Sequence, residues 1–271
     1  MGKSNLLESV EFISQLKSFR AVNDKDLIKY DEGQSIISAI VDFNHNIKIE
    51  ISRQGSKKVY LNDCILKKQS LVKNYLRSVC FSSNDINIVR SEPNFRRVWL
   101  DKVVAQLEPV YVELLGRYSK LLKQRSHYWR SSISKEYSSS TLIDSYDSQL
   151  ALIGTRIFRR RKRALIKLQP YIEFWHNHLS KSKENIGIKF ISKLQSLDGN
   201  DDESKIIDLF TEKLIAQRDL EELTGKCSVG PHRDDIEFCI NNFSVRKFGS
   251  SGQQRTCLLY TSDAADDGYR V

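Results

Sequence analysis

Apolar residues at Leu6, Leu7, Val10, Ile13 and Leu16 recur at helical spacing after Gly2, Lys3 and Ser4, which predicts an amphipathic helix at the start of the chain. The period then changes. Ile36 to Phe43, Ile47 to Ile51 and Lys57 to Leu61 are short β-prone runs, and Asn44-His45-Asn46 and Gln54-Gly55-Ser56 between them predict hairpin turns. Ser78 to Phe81 reads as a further strand and Ser82 to Asp85 as a loop. From Pro93 the pattern is helical: Pro93 and Pro109 each suit a helix start, and Val110 to Tyr128 continues without a break. After the serines at 138–140, a long helix is expected from Leu142 toward Leu179. Its stripe is Leu150, Ile153, Ile157, Ala164, Leu168, Ile172, Trp175 and Leu179. Ile186 to Ile191 reads as a strand and Lys205 to Leu223 as a helix. Asp235 to Ile240 is another strand, turning at Asn241-Asn242 into Phe243 to Val245.

Composition narrows the class. With 271 residues, 40% hydrophobic and 28% charged, the chain has the make-up of a folded protein of one large or two modest domains. No apolar run reaches membrane-spanning length and no signal-peptide core is present, so a cytoplasmic location without membrane contact is expected. The net charge of +9 favours a polyanionic partner. Five widely spaced cysteines without a close pair support neither a disulfide framework nor a zinc site. His176 and His178, two apart on a helix, face different directions and do not share a metal.

Four stretches carry candidate chemistry. Gly249 to Thr256 is a serine- and glycine-rich segment followed by Gln253, Gln254 and Arg255. It suits the mouth of a helix that meets a phosphate without a side chain in the way. Gly2-Lys3-Ser4 matches the second half of a phosphate-binding loop, with Lys3 toward the β and γ phosphates and Ser4 as a hydroxyl ligand to magnesium; the glycine-rich half that comes before such a triplet is not in this sequence. Gly230 to Asp235 contains a His-Arg-Asp triplet, but Cys239 stands where a kinase loop needs asparagine. A Gly-Pro turn into a strand, with carboxylates bonded to local amides, is the expected structure. Arg96 and Arg97, in a first helical turn, either contact phosphate or pair with Glu92 and Asp101. The run Arg159-Arg160-Arg161-Lys162-Arg163 covers all sides of a helix and is expected to be a solvated arm or a nucleic-acid surface, not one focused patch.

Taken in order, Gly2 to Glu8, Arg96 to Asp101, Gly230 to Asp235 and Gly249 to Thr256 closely resemble the RecF family, recombination-repair ATPases built like the heads of ABC and SMC proteins. Glu108-Pro109 with Tyr118, Lys123 to Arg125 and Asp147 to Leu150 agree. The resemblance implies an α/β fold. A P-loop NTPase lobe of the ABC-head type would be formed by residues 1–90 and 224–256, with a mostly helical lobe, residues 91–223, inserted between. ATP and Mg2+ would be held by Gly2, Lys3, Ser4 and Asn5 on one subunit, with Ser4 on the metal. Ser250, Gly252 and Gln253 would approach from a second subunit, making an ATP-dependent homodimer. The resemblance further implies binding to DNA at junctions of duplex and single-strand gap, with RecR and, indirectly, RecO and RecA. DNA-contact candidates are Arg96, Arg97, Arg159, Arg160, Arg161, Lys162 and Arg163.

The family's catalysis also needs a carboxylate pair at the end of an apolar strand beyond Thr256, and none follows here. Cys257 to Asp266 reads as the in-frame translation of a transposase sequencing adapter, so residues 257–271 are expected not to be of biological origin, and Asp266 and Asp267 not to be metal ligands. Met1 is expected to fall inside the phosphate loop. The chain is thus expected to be a fragment incomplete at both ends, with exposed sheet edges and no ATPase activity of its own. The alternative function is a non-catalytic DNA-binding or architectural head.

Overall fold

The computed structural model describes residues 2–18, 20–76, 78, 85–132, 140–180, 184–194 and 202–257. Residues 1–80 and 81–271 form two compact units. The expected strand at Ser78–Phe81 and loop at Ser82–Asp85 lie almost wholly outside the described residues, as does the tail after Cys257.

The first unit begins with helix α1 (Lys3–Gln15) and continues into an antiparallel meander of β1 (Gln34–Val41), β2 (His45–Ser52), β3 (Lys57–Leu61) and β4 (Cys64–Ile65), in that spatial order. The period of two in β2 builds the core, because Ile47, Ile49 and Ile51 all point inward and are buried. Ile49 stands opposite Ile37 on one side and Val59 on the other. Helix α1 adds Phe12 and Ile13 to this core, and Leu16, the residue that follows the helix, joins them.

Two expectations fail here for identifiable reasons. Leu6, Leu7 and Val10 are exposed, while Glu8 and Glu11 are buried. Residues 2–7 are all exposed and residues 11–14 all buried, and since either run covers every side of a helix, burial follows position along α1 and not one of its faces. The first hairpin turn lies earlier than predicted, at Asp42, Phe43 and Asn44, with His45 already paired to Val41. Asp42 and Phe43 both adopt positive φ, and the ring of Phe43 lies wholly in solvent. The two-residue turns at Asn62-Asp63 and Asn241-Asn242 have positive φ at both positions, the twist that matches paired strands.

The second unit contains α2 (Ile86–Arg90), α3 (Pro93–Leu107), α4 (Val110–Ser132), α5 (Ser140–Ser180), α6 (Glu203–Ala216) and α7 (Arg218–Thr224). Its sheet consists of β5 (Ile186–Ile191), β6 (Asp235–Ile240) and β7 (Phe243–Ser244), antiparallel throughout. The four-residue α8 (Val245–Phe248) and a last helix, α9, over residues 251–257 follow. Helix α5 packs against α4, α6 and β5, and Leu150, Ile157, Ala164, Leu168 and Ile172 of the expected stripe are buried. Ile153 and Trp175 are half-buried, and the side chain of Leu179 lies outside the described set. The helix expected from Lys205 to Leu223 is divided at Gln217 into α6 and α7. Strand β5, from the stretch expected in the helical lobe, pairs with β6, from the stretch expected in the ATPase lobe.

Gly154 sets the α5–α6 distance. A Cβ there would lie 2.3 Å from Phe210 Cε1, so the fully buried Phe210 ring occupies the space a side chain would need. Alanine is the better helix former by about 1 kcal/mol in an exposed helix. Gly154→Ala is nevertheless expected to destabilise the chain by about 1–3 kcal/mol through overpacking. A urea unfolding series checks it; equal or greater stability in the variant would contradict this packing.

Candidate phosphate-contact sites

Gly2 precedes α1, and no side chain caps the helix's first turn, which also contains no acidic residue. The leading backbone N–H groups of a helix have no partner within it, and they carry the positive end of its dipole. Lys3, Ser4 and Asn5 are all exposed on that turn. Arg20, which the sequence pattern did not reveal, comes to the same place. Its Nη1 donates to Asn5 Oδ1 at 3.3 Å and lies 3.6 Å from Glu8 Oε2. Ser18 holds this loop: its hydroxyl donates to Glu8 and accepts from the backbone N–H groups of Arg20 and Ala21. A cavity of about 740 Å³ opens alongside, lined in part by Asn5, Ser9, Arg20, Asp26 and Lys29. No periodicity marks Arg20; only its folding back fifteen residues along the chain puts it beside the helix start.

The second segment lies at the entrance to α9. Ser250 Oγ accepts from Gln253 N at 3.2 Å and Gln253 Oε1 accepts from Ser250 N at 2.8 Å, a reciprocal capping box. Gln253 Nε2 also donates to Glu184 Oε1 at 2.7 Å. Both ends of the Gln253 side chain are thus occupied within the chain. Gln254 is buried and donates to the carbonyls of Val245 and Gly249, while Arg90 donates to its Oε1 at 2.5 Å. The two glycines differ. A Cβ on Gly249 would meet the Val245 carbonyl at 2.6 Å, whereas a Cβ on Gly252 would make only ordinary contact with Ser250 Oγ at 3.7 Å. Internal packing requires glycine at 249 and leaves the outer side of Gly252 open. Cys257, where the expected non-native tail starts, is the last described residue of α9 and is buried.

The arginines separate into two groups. Arg96 is 2% exposed and grips Asp235 with two hydrogen bonds, at 2.6 and 3.0 Å, while Nη1 donates to the carbonyls of Ile88 and Ser91. Arg161 is 3% exposed and donates to both oxygens of Asp101, to the hydroxyl of Tyr111, to the Pro231 carbonyl and to Asp234. Neither guanidinium is available to DNA, which corrects the expectation for these two positions. Arg97 is half-buried, donates to the Asp234 carbonyl at 2.8 Å, and is held below its ordinary pKa by burial and the nearby Arg161 charge. Arg159, Arg160 and Arg163 instead face a groove between α4 and α5, joined there by Arg117, Arg156 and Lys167. As expected, the run itself is not one patch, because Arg161 turns inward and Lys162 does not line the groove; Arg159, Arg160 and Arg163 instead join Arg156 and Lys167, one turn away on the same helix.

The charged groups of Gly230 to Asp235 serve as structural joints. Gly230 has φ 124°, and a Cβ on it would lie 2.3 Å from Tyr118 Oη. Asp235 does bond a local amide, that of Ile236, but both aspartates chiefly receive arginines from distant helices. His232 sits between Tyr118 Oη, 2.9 Å from Nδ1, and the Cys227 carbonyl, 3.0 Å from Nε2. This fits a neutral ring with its proton on Nε2. Burial drives the His232 pKa down to about 4, and burial pushes Asp234 up to about 6 against the pull of Arg161.

Comparison with known proteins gives a consistent picture. The chain is 42% identical over 259 residues to the DNA replication and repair protein RecF of Synechococcus sp. (strain CC9605), covering 96% of this chain and 71% of that protein. It is 37% identical to the protein of the same name from Trichodesmium erythraeum (strain IMS101), covering 95% and 70%. A solved structure of the recombination mediator protein RecF-ATPrS in the RecFOR pathway superposes with a TM-score of 0.89 at 27% identity, over 99% of this chain and 73% of that one. The RecF-ATP structure from the same pathway gives 0.87, also at 27% identity, over 97% and 71%. No protein-family model matches the chain.

The two shifted groups predict opposite pH trends. His232 has a depressed folded pKa, so its contribution of about 3 kcal/mol is present above about pH 6.5 and lost as pH falls toward 4. Asp234 has a raised folded pKa, so its contribution is full below the ordinary carboxylate range and lost as pH rises through about 6. The stability gap between wild type and His232→Gln should therefore narrow on acidification from pH 6.5 to 4, and Asp234→Asn should gain on wild type as pH rises from about 4 to about 6 and hold that gain above it. Denaturant unfolding at stepped pH measures both; parallel curves for all three proteins would show that these groups titrate as they do in the unfolded chain.

Proposed function

The chain belongs to the RecF family of DNA replication and repair proteins, and on that premise we propose that it binds ATP at the first turn of α1. The observation that carries this reading is an uncapped helix start with exposed Lys3 and Ser4 and no acidic residue, an arrangement that leaves backbone N–H groups and an ammonium for phosphate oxygens. Mg2+ takes oxygen ligands, and the Ser4 hydroxyl together with phosphate oxygens is a donor set of that kind. Ser4 would hold the ion, which would neutralise charge on the phosphates. Arg20, with Asn5, would add a second cation at the mouth of the neighbouring cavity.

Ser250 and Gly252 would meet the nucleotide of a second copy of the chain. The open side of Gly252 supports close approach, and Gln253 would act by holding the capping box instead of touching the ligand. ATP-linked dimerisation would then present DNA at gap junctions with a basic protein surface, in the cytoplasm, acting with RecR and indirectly with RecO and RecA. Under this reading residues 1–90 and 224–256 make the ATPase lobe and 91–223 the helical lobe.

Binding of a fluorescent ATP analogue tests the first step. Lys3→Ala should weaken it at least about tenfold, the equivalent of about 1.4 kcal/mol, and Arg20→Ala by a smaller factor. Unchanged affinity in Lys3→Ala would remove α1 as the nucleotide site. Ser250→Arg should leave that affinity intact but abolish the ATP-dependent rise in mass seen by light scattering. DNA binding that is strong and indifferent to ATP in all these proteins would instead favour the non-catalytic architectural reading.

A further inference from the structure

The groove between α4 and α5 is a concavity of about 750 Å³ within the second unit. Helical spacing explains its charge, since Arg156, Arg159, Arg160, Arg163 and Lys167 follow one another at intervals of one, three or four residues on α5, and Arg117 faces them from α4. Its wall is also aliphatic. Leu114 is buried behind it, whereas Val110 and Ile166 are each 61% exposed. None of these residues takes part in nucleotide binding at α1.

We propose that this groove docks an acidic peptide segment with an aliphatic anchor, carried by a partner protein. Six cations against three carboxylates, the lining Glu113 and Glu203 and the Glu108 that pairs with Arg160 and Arg163, leave it complementary to negative charge. The chain itself shows which anion its guanidiniums hold. Arg156 and Arg159 pair with Glu203, and Arg160 and Arg163 pair with Glu108 at 2.8 and 3.3 Å, so these side chains are already arranged around carboxylates. A ligand carboxylate can exchange with these partners, while its aliphatic side chain covers Val110 and Ile166.

Nucleic acid fits the groove less well. Single strands are bound by stacking bases on aromatic rings, and no aromatic residue is among the described residues that line this site. Aliphatic walls give a phosphate nothing to bind.

Fluorescence anisotropy of the full chain without nucleotide tests the proposal, with a short labelled peptide of alternating aspartate and leucine as the probe. It should bind at least about tenfold more tightly than the same peptide with asparagine for aspartate. The double variant Arg117→Glu, Lys167→Glu should lose about tenfold, with its circular dichroism unchanged, and Ile166→Ser should lose affinity as well. The milder pair Arg117→Gln, Lys167→Gln gives the same reading if charge reversal perturbs folding. Equal binding of the two peptides, or no loss in either charge variant, would overturn the proposal. So would displacement of the probe by single-stranded or duplex DNA whose own affinity falls in the same variants, which would assign the groove to nucleic acid. None of these outcomes depends on Lys3 or on ATP.

Discussion

The second unit depends on one buried cation. Arg161 leaves the middle of α5 pointing inward, and its guanidinium ties α5 to Asp101 of α3, Tyr111 of α4, the Pro231 carbonyl and Asp234 just before β6. Taking such a charge out of water costs several kcal/mol, and it is tolerated only where carboxylates and carbonyls surround it. Once Arg161 is inward, the helix period decides the rest. Ile157, Phe158, Ala164, Leu165 and Leu168 share the inward side and are buried, and the neighbouring arginines are turned to the groove.

Two further buried guanidiniums repeat this logic. Arg96 clamps α3 to the first residue of β6 through Asp235. Arg125 of α4 is fully buried between Asp147 of α5 and Glu221 of α7, and Arg218 approaches Asp147 from the other side at 2.6 Å. Each pair joins residues distant in sequence, so the charged stretches that carry the family resemblance are largely the joints of the unit. Backbone and small residues remain open instead at Gly2 to Asn5 and at Ser250 to Gly252, the segments proposed to meet the nucleotide.

Local periodicity made much of this architecture legible. Strands β3, β5 and β6 have their expected limits because alternating apolar residues are bounded by turn residues, and α5 follows its stripe because burial repeats with the helical period. What stayed hidden is non-local. Nothing near Arg96 or Arg161 announces that Asp235 or Asp234 will reach them from another element, and so a paired arginine looks like a solvent-facing one. The same holds for α1, apolar on both sides, where only the core formed with Ile28, Ile47, Ile49, Ile51, Val59 and Val72 shows that Phe12 and Ile13 are buried and Leu6 and Leu7 are not. Arg20 was invisible for a related reason, being brought to the helix start by the Ser18–Glu8 contact.

The claim that Arg161 is a joint and not a ligand contact is tested most directly by unfolding Arg161→Gln in urea beside Arg163→Gln. Removing one partner of a buried, paired charge typically costs about 3–5 kcal/mol, and an exposed one less than about 1 kcal/mol. The expected loss lies in the first range for Arg161→Gln and in the second for Arg163→Gln. Near-wild-type stability in Arg161→Gln, together with weakened DNA binding, would contradict it.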